Sequence, residues 1–431
     1  MKVTRYKAGC AAVMAAGLAG TPALAQDPID TIRPDAPELA AYGDWPVGVR
    51  SLTIAREDVP DVPAVMAMEA PEGGPEEAPL TTRSLTVEVW YPAAEGTQAG
   101  TTYETVLRDG TTPVTLSGRA ARDAGAASGE SFPLVLVSHG YPGNRFLLSP
   151  LAENLASKGY VVASIDHPDS TYSDQGAFAS TLVNRPWDQQ AVLDGMAALD
   201  GDLGAITDGE TAAIIGYSMG GYGALIFAGA GVSEAALDSG YAPPMELLAV
   251  NRAGTPGFAA LRDDRLKAAV AFGPWGRNTD FWDAEGLAGI EIPLLILAGS
   301  ADATSGYPAI RAIFEETTGT RRQLLTFENA GHNAGAPMPA PSAAWGEFPD
   351  MDWLPFTHYA DPVWDTVRMN NIAQHMVTAF LDLHLKGDTG KAAYLDLVPE
   401  QPVEGQSGEY WDGFAGGEAP GLRLETREAG E

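Results

Sequence analysis

Short apolar runs alternate with stretches of helical spacing over most of the chain. Residues 134–137 (LVLV) are apolar without interruption, as a strand covered on both faces of a parallel sheet must be. Similar runs at 160–165, 211–215, 266–272, 292–297 and 323–327 predict five more strands of the same kind. Residues 47–54 and 85–92 instead alternate apolar with polar, and the second stops at Pro92, so both predict half-buried strands. Between the runs lie helical segments: 148–158, closed by Gly159; 186–199, with Trp187, Val192, Met196 and Leu199 on one side; 221–230, small and apolar throughout; 308–316, with Pro308 in its first turn; and 362–386. Strands alternating with helices predict an α/β fold, a mostly parallel sheet with right-handed crossovers. The pattern loosens over 232–264, which predicts an excursion of small helices after the helix at 221–230.

The remaining segments lack a period. Residues 26–46 are rich in Pro and Asp and predict a linker or N-terminal arm. Residues 57–79 and 101–131 predict surface loops. Residues 333–361 carry Trp345 and Trp353 among prolines and glycines, a long loop of the kind that borders binding sites. Residues 395–431 are acidic and Gly-rich, which sets a catalytic domain at 47–394 followed by a tail without assigned function.

Chemistry concentrates where strands end. The run at 211–215 leads into Gly216-Tyr217-Ser218-Met219-Gly220, a G-x-S-x-G between strand and helix. A serine on so tight a turn needs neighbours with almost no side chain, and the turn lifts its hydroxyl clear of the backbone. The Met219 amide then points where an oxyanion would form. Asp302 follows the strand at 292–297 and His332 follows the strand at 323–327. Ser218, Asp302 and His332 thus run in the order nucleophile, acid, base, each at the sheet edge where parallel sheets bind ligands. His358 remains a competing base and Asp166 a competing acid. Tyr141, in the turn after 134–137, offers a second oxyanion amide. Trp275, Trp345 and Trp353 are candidate walls for the acyl group.

These residues resemble an α/β-hydrolase of the dienelactone hydrolase-like and platelet-activating-factor acetylhydrolase-like group, which borders the bacterial polyester hydrolases. The resemblance rests on Val89-Trp90-Tyr91-Pro92, Ser138-His139-Gly140, Gly159-Tyr160-Val161-Val162, Asp166-His167-Pro168, Arg185-Pro186-Trp187-Asp188, the G-x-S-x-G, Gly299-Ser300-Ala301-Asp302 and Gly331-His332. It implies the α/β-hydrolase fold, a Ser218–Asp302–His332 triad and an oxyanion hole from Tyr141 and Met219. True dienelactone hydrolases use cysteine where this chain has Ser218, which argues against dienelactone as substrate.

Composition narrows the setting. Lys2, Arg5 and Lys7 precede an apolar centre and Ala23-Leu24-Ala25, which predicts a signal peptide at 1–25 and a secreted or periplasmic protein. Cys10 is the single cysteine and falls inside that segment, so the mature chain would have no disulfide. A formal charge of −31 argues against nucleic acid and anionic lipid surfaces as partners. No later run is apolar enough to cross a membrane. No dinucleotide turn, phosphate loop or clustered His/Cys set calls for a cofactor or metal. The expectation is a serine hydrolase cleaving a small-molecule or polymeric carboxylic ester; the alternatives are an acyltransferase with the same triad and a non-catalytic binding protein.

Overall fold

The computed structural model describes residues 27–68, 77–349, 351–402, 408–414 and 419–431. The predicted signal peptide lies outside them. In chain order the strands are β1 (Asp27–Pro28), β2 (Val47–Pro60), β3 (Leu80–Pro92), β4 (Thr101–Val106), β5 (Pro113–Gly118), β6 (Ala121–Arg122), β7 (Phe132–Ser138), β8 (Val161–Asp166), β9 (Thr207–Tyr217), β10 (Leu266–Phe272), β11 (Leu294–Gly299), β12 (Arg322–Phe327) and β13 (Leu422–Arg427). The helices are α1 (Val62–Ala67), α2 (Ser149–Ser157), α3 (Phe178–Ala197), α4 (Gly201–Ile206), α5 (Met219–Phe227), α6 (Glu234–Leu237), α7 (Pro256–Leu261), α8 (Ala284–Ala288), α9 (Tyr307–Glu316) and α10 (Thr366–Leu385).

The main sheet has the order β13-β12-β11-β10-β9-β7-β8-β3-β2-β6. From β8 to β12 neighbouring strands are parallel, and β3 and β13 join antiparallel on either side. Because side chains alternate across a strand, the apolar runs feed two cores. Leu134, Leu136 and Ile214 face the α3–α5 side, while Val135, Val137 and Ile215 face the side covered by α2 and α10.

Four segments differ from the sequence expectation. The 26–46 arm is docked: Asp27 and Pro28 pair with Leu116 and Ser117 of β5, and Ile29 and Ala40 are buried. The 57–79 segment begins as the end of β2 and continues as α1, capped by the Asp61 carboxylate at the Ala64 amide (2.9 Å). The 101–131 segment holds the β4–β5 hairpin, with Tyr103 and Leu116 turned inward and threonines outward. The tail at 395–431 closes the sheet, because Leu422 and Leu424 of β13 point into the core beside β12. β13 is thus an edge strand of the main sheet. Within 232–264 the excursion is α6, a short 3-10 helix (Leu247–Asn251) and α7.

Candidate active site

A tight turn at Ser218 joins β9 to α5. Ser218 sits at φ 54, ψ −114, a strained conformation for a residue with a side chain. The turn is held on both sides. The Ser218 amide donates to the Phe272 carbonyl (2.8 Å), and the Ser218 carbonyl accepts from Tyr222 (3.0 Å) and Trp275 (3.2 Å). Only glycine fits around it: a Cβ on Gly216 would lie 2.2 Å from the Gly220 carbonyl oxygen, and one on Gly220 would lie 2.0 Å from that of Ser138.

Two neighbouring strand ends deliver the partners. Past β11, the Asp302 carboxylate accepts from the Thr304 and Ser305 amides with one oxygen (2.8 and 2.9 Å). Its other oxygen accepts from His332 Nδ1 at 2.8 Å, which leaves Nε2 as the basic nitrogen. Past β12, His332 Nε2 lies 2.9 Å from Ser218 Oγ, positioned to receive the hydroxyl proton. Gly273, at φ +46, runs past this pair; a Cβ there would lie 3.3 Å from both Asp302 Oδ2 and His332 Nδ1. Of the competing residues, His358 bonds the Tyr172 hydroxyl at 2.9 Å, and burial pushes it down to about 3. Asp166 accepts from the Arg145 amide (2.6 Å) and pairs with its guanidinium. Neither is bonded to Ser218 or His332.

The turn after β7, which carries Tyr141, is fixed from below. A Cβ on Gly140 would touch Ser218 Cβ at 3.3 Å, so this turn lies directly against the serine. Among the described residues neither the Tyr141 amide nor the Met219 amide has an acceptor, so both donors are free. Arg185 is fully buried beneath the turn and donates to the His139 carbonyl and to Ser170 Oγ (2.8 Å). Burial lowers it to about 9. Alongside runs a chain from Ser138 Oγ to His167 Nε2 (2.9 Å) and from His167 Nδ1 to Asp188 (3.2 Å). Burial and the Arg185 charge hold His167 down to about 3, so it is a neutral relay with Nδ1 donating.

A cavity of about 560 Å³ opens over the serine, lined by Ser218, His332, Tyr141, Tyr217 and Trp353 among others. Trp353 thus borders it. Trp275 and Trp345 do not. The Trp275 ring is turned into an aromatic cluster with Phe178 (5.4 Å) and Phe281 (5.3 Å), where edge-to-face and tilted ring contacts hold it. Trp345 is 70% exposed and packs at a tilt against Phe356, with ring centroids 4.3 Å apart. The 333–361 loop does wall the cavity, through a tie that sequence reasoning missed. The Tyr217 hydroxyl donates to Asn333 (2.9 Å), whose amide donates to the Thr357 and Ala360 carbonyls (3.0 and 2.7 Å). Arg108 and Asp361 were missed as well. Arg108 comes from the β4–β5 turn that reads as loop, and Asp361 anchors the Gly331 amide at 2.6 Å. Among the described residues no cluster of His, Cys, Asp or Glu has the arrangement of a metal site, and no helix is long and apolar enough to cross a membrane.

The platelet-activating factor acetylhydrolase, isoform II, family matches residues 85–192, the segment from β3 through most of α3. That segment includes the oxyanion turn and the buried chain below it, but not Ser218, Asp302 or His332. The platelet-activating factor acetylhydrolase of Cavia porcellus is 39% identical over 64 residues, 14% of this chain and 15% of its own length. That of Bos taurus is 36% identical over 72 residues, 16% of each. The matches thus span only about one-sixth of those relatives. A ferulic acid esterase from Streptomyces cinnamoneus superposes with a TM-score of 0.52 at 20% identity, covering 82% of this chain and 94% of the esterase. The chain therefore has the α/β-hydrolase fold and, over residues 85–192, is similar to the platelet-activating factor acetylhydrolases.

Proposed function

We propose that the protein is a secreted serine hydrolase that cleaves carboxylic esters through an acyl-enzyme. The observation that carries this reading is the unbroken chain Ser218 Oγ–His332–Asp302, at 2.9 and 2.8 Å, opening onto a cavity. Ser218 attacks the ester carbonyl while His332 takes its proton, and Asp302 stabilises the imidazolium. The Tyr141 and Met219 amides receive the negative charge of the tetrahedral intermediate, each such donor being worth ~3 kcal/mol of barrier. The intermediate collapses to the Ser218 ester, and His332 gives its proton to the departing alcohol. Water, deprotonated by His332, then releases the acid and restores Ser218.

The size of the cavity, about 560 Å³, suits a small-molecule ester. The names of the similar proteins, acetylhydrolases and a ferulic acid esterase, point the same way. A leader at 1–25 would carry the enzyme out of the cytoplasm, where it would meet such esters. Hydrolysis of p-nitrophenyl esters from acetyl to palmitoyl, by the wild type and by Ser218→Ala, tests this. The expected result is turnover that peaks at short acyl chains and is lost in the variant. A folded wild type inert toward every ester would overturn the reading.

A further inference from the structure

Among the described residues, most arginines of this acidic protein sit on carboxylates, but Arg108 does not. It lines the catalytic cavity with Ser218 and His332. Its guanidinium lies 4.4 Å from the centre of the Trp353 ring, and among the described residues no carboxylate lies within salt-bridge distance of it. Elsewhere Arg33, Arg50, Arg83, Arg145 and Arg311, for example, all sit on carboxylates. Two of the nearby acids are occupied. Asp109, next in sequence, turns back to accept from the Thr111 and Thr112 amides (3.1 and 3.0 Å) and so shapes its own hairpin. Asp361, the one carboxylate of the cavity lining among the described residues, accepts from the amides of Gly331 (2.6 Å), Val363 and Trp364 (2.8 Å each).

The hairpin is built to hold Arg108 there. Leu107 and Thr112 close the turn (2.9 Å), and Gly110, at φ +76, lets it approach the Tyr172 carbonyl so closely that a Cβ would lie 2.4 Å away. His358, on the same wall, carries no charge at neutral pH because burial holds it down to about 3. A guanidinium stacked on an indole keeps its in-plane N–H groups free, and that edge matches the two oxygens of a carboxylate or phosphate.

We propose that Arg108 and Trp353 form an anion-recognition subsite, and that the substrate is an ester carrying a carboxylate or phosphate in addition to the scissile bond. The inference rests on the esterase reading and narrows it. A charge-assisted, bidentate contact of this kind favours the anionic ester over a neutral one of equal length by about 10- to 100-fold in kcat/KM.

The test compares matched pairs in the purified mature protein. On the acyl side, p-nitrophenyl hemiglutarate is set against p-nitrophenyl valerate. On the alcohol side, 2-acetoxyethyl phosphate is set against 2-acetoxyethyl methyl ether. In each pair the anionic-to-neutral ratio of kcat/KM is read for the wild type, Arg108→Ala and Arg108→Lys, with thermal unfolding as the check on folding. The expected result is a wild-type ratio above ten in at least one pair, falling to near one in Arg108→Ala and to an intermediate value in Arg108→Lys. Should Arg108→Ala fail to fold, the wild-type and lysine ratios decide. Turnover of neutral esters without anionic preference in either pair would overturn the subsite and leave the esterase reading standing. A preference that survives Arg108→Ala would also overturn it. Absence of turnover on all four esters would bring down both.

Discussion

Replacing Asp188 with asparagine tests whether the oxyanion turn stands on a buried ion cluster. Asp188 lies on α3 with no exposed side-chain area. One oxygen accepts from Arg56 (2.5 Å) and from Arg83 Nε (3.1 Å); the other accepts from Arg83 Nη2 (2.9 Å) and His167 (3.2 Å). Arg83 and Arg56 are themselves only 5% and 13% exposed, so Asp188→Asn strands positive charge in the interior. Breaking a buried pair in this way costs ~3–5 kcal/mol. The lower end applies here, because Arg83 keeps Asp169 at 2.8 Å and the asparagine oxygen can still accept. A chain of 431 residues has an unfolding entropy of about 0.9 kcal/mol/K at ~2.1 cal/mol/K per residue, so ~3 kcal/mol lowers the melting temperature by about 3 °C. The control is Asp202→Asn. Asp202 makes an equally close pair with Arg50 (2.6 Å), but it is 50% exposed, so solvent screens the pair and the loss stays below ~1 kcal/mol. Calorimetry of both variants at pH 7 reads the difference. The hydrogen bonds of His167 and Ser138 weaken with the cluster, so kcat should fall as well. A melting temperature for Asp188→Asn no lower than that of Asp202→Asn would refute the reasoning.

Other expectations follow from the same geometry. Asp302→Asn keeps the shape of the triad but disturbs the His332 tautomer, and a drop of ~10⁴ in kcat with little change in melting temperature is expected from ester kinetics and calorimetry. His139, His167 and His375 are buried and held below the ordinary histidine range by desolvation. Their folded-state values are depressed, so their contribution is complete above about pH 6.5 and is lost as pH falls below it. Each proton taken up on unfolding adds ~1.4 kcal/mol per pH unit to the loss, visible as a falling melting temperature between pH 6.5 and 5. Deleting 422–431 removes β13, exposes the β12 edge and uncovers the core beside Leu422 and Leu424, at ~1.5–3 kcal/mol for each leucine. The truncated chain should elute as aggregate in size-exclusion chromatography while the full chain does not.

What the sequence disclosed, and what it hid, divides along a physical line. Residues 134–137 read as a central strand because a strand buried on both faces has to be apolar at every position, and β7 feeds both cores. Ser218, Asp302 and His332 could be picked out because each follows such a run, and register at a parallel sheet's edge brings strand ends together however far apart they lie in the chain. The β4–β5 hairpin stayed hidden because only Tyr103 and a few apolar residues face inward and its third strand comes from Asp27–Pro28, a pairing no local window contains. β13 does alternate, as Leu422-Arg423-Leu424, but acidic and Gly-rich neighbours mask so short a signal. Trp275 shows the limit of the strand-end rule. It stands where the rule places a pocket wall, yet its ring packs toward Phe178 and Phe281, because position along a strand fixes where a backbone lies and not which way a side chain turns. The cavity wall is made instead by Trp353 and Arg108, from two loops far apart in sequence that meet only because Asn333 ties one and Gly110 seats the other. The residues of the proposed ester chemistry can therefore be read from strand ends, whereas the proposed preference among esters rests on contacts between loops, which only the folded chain reveals.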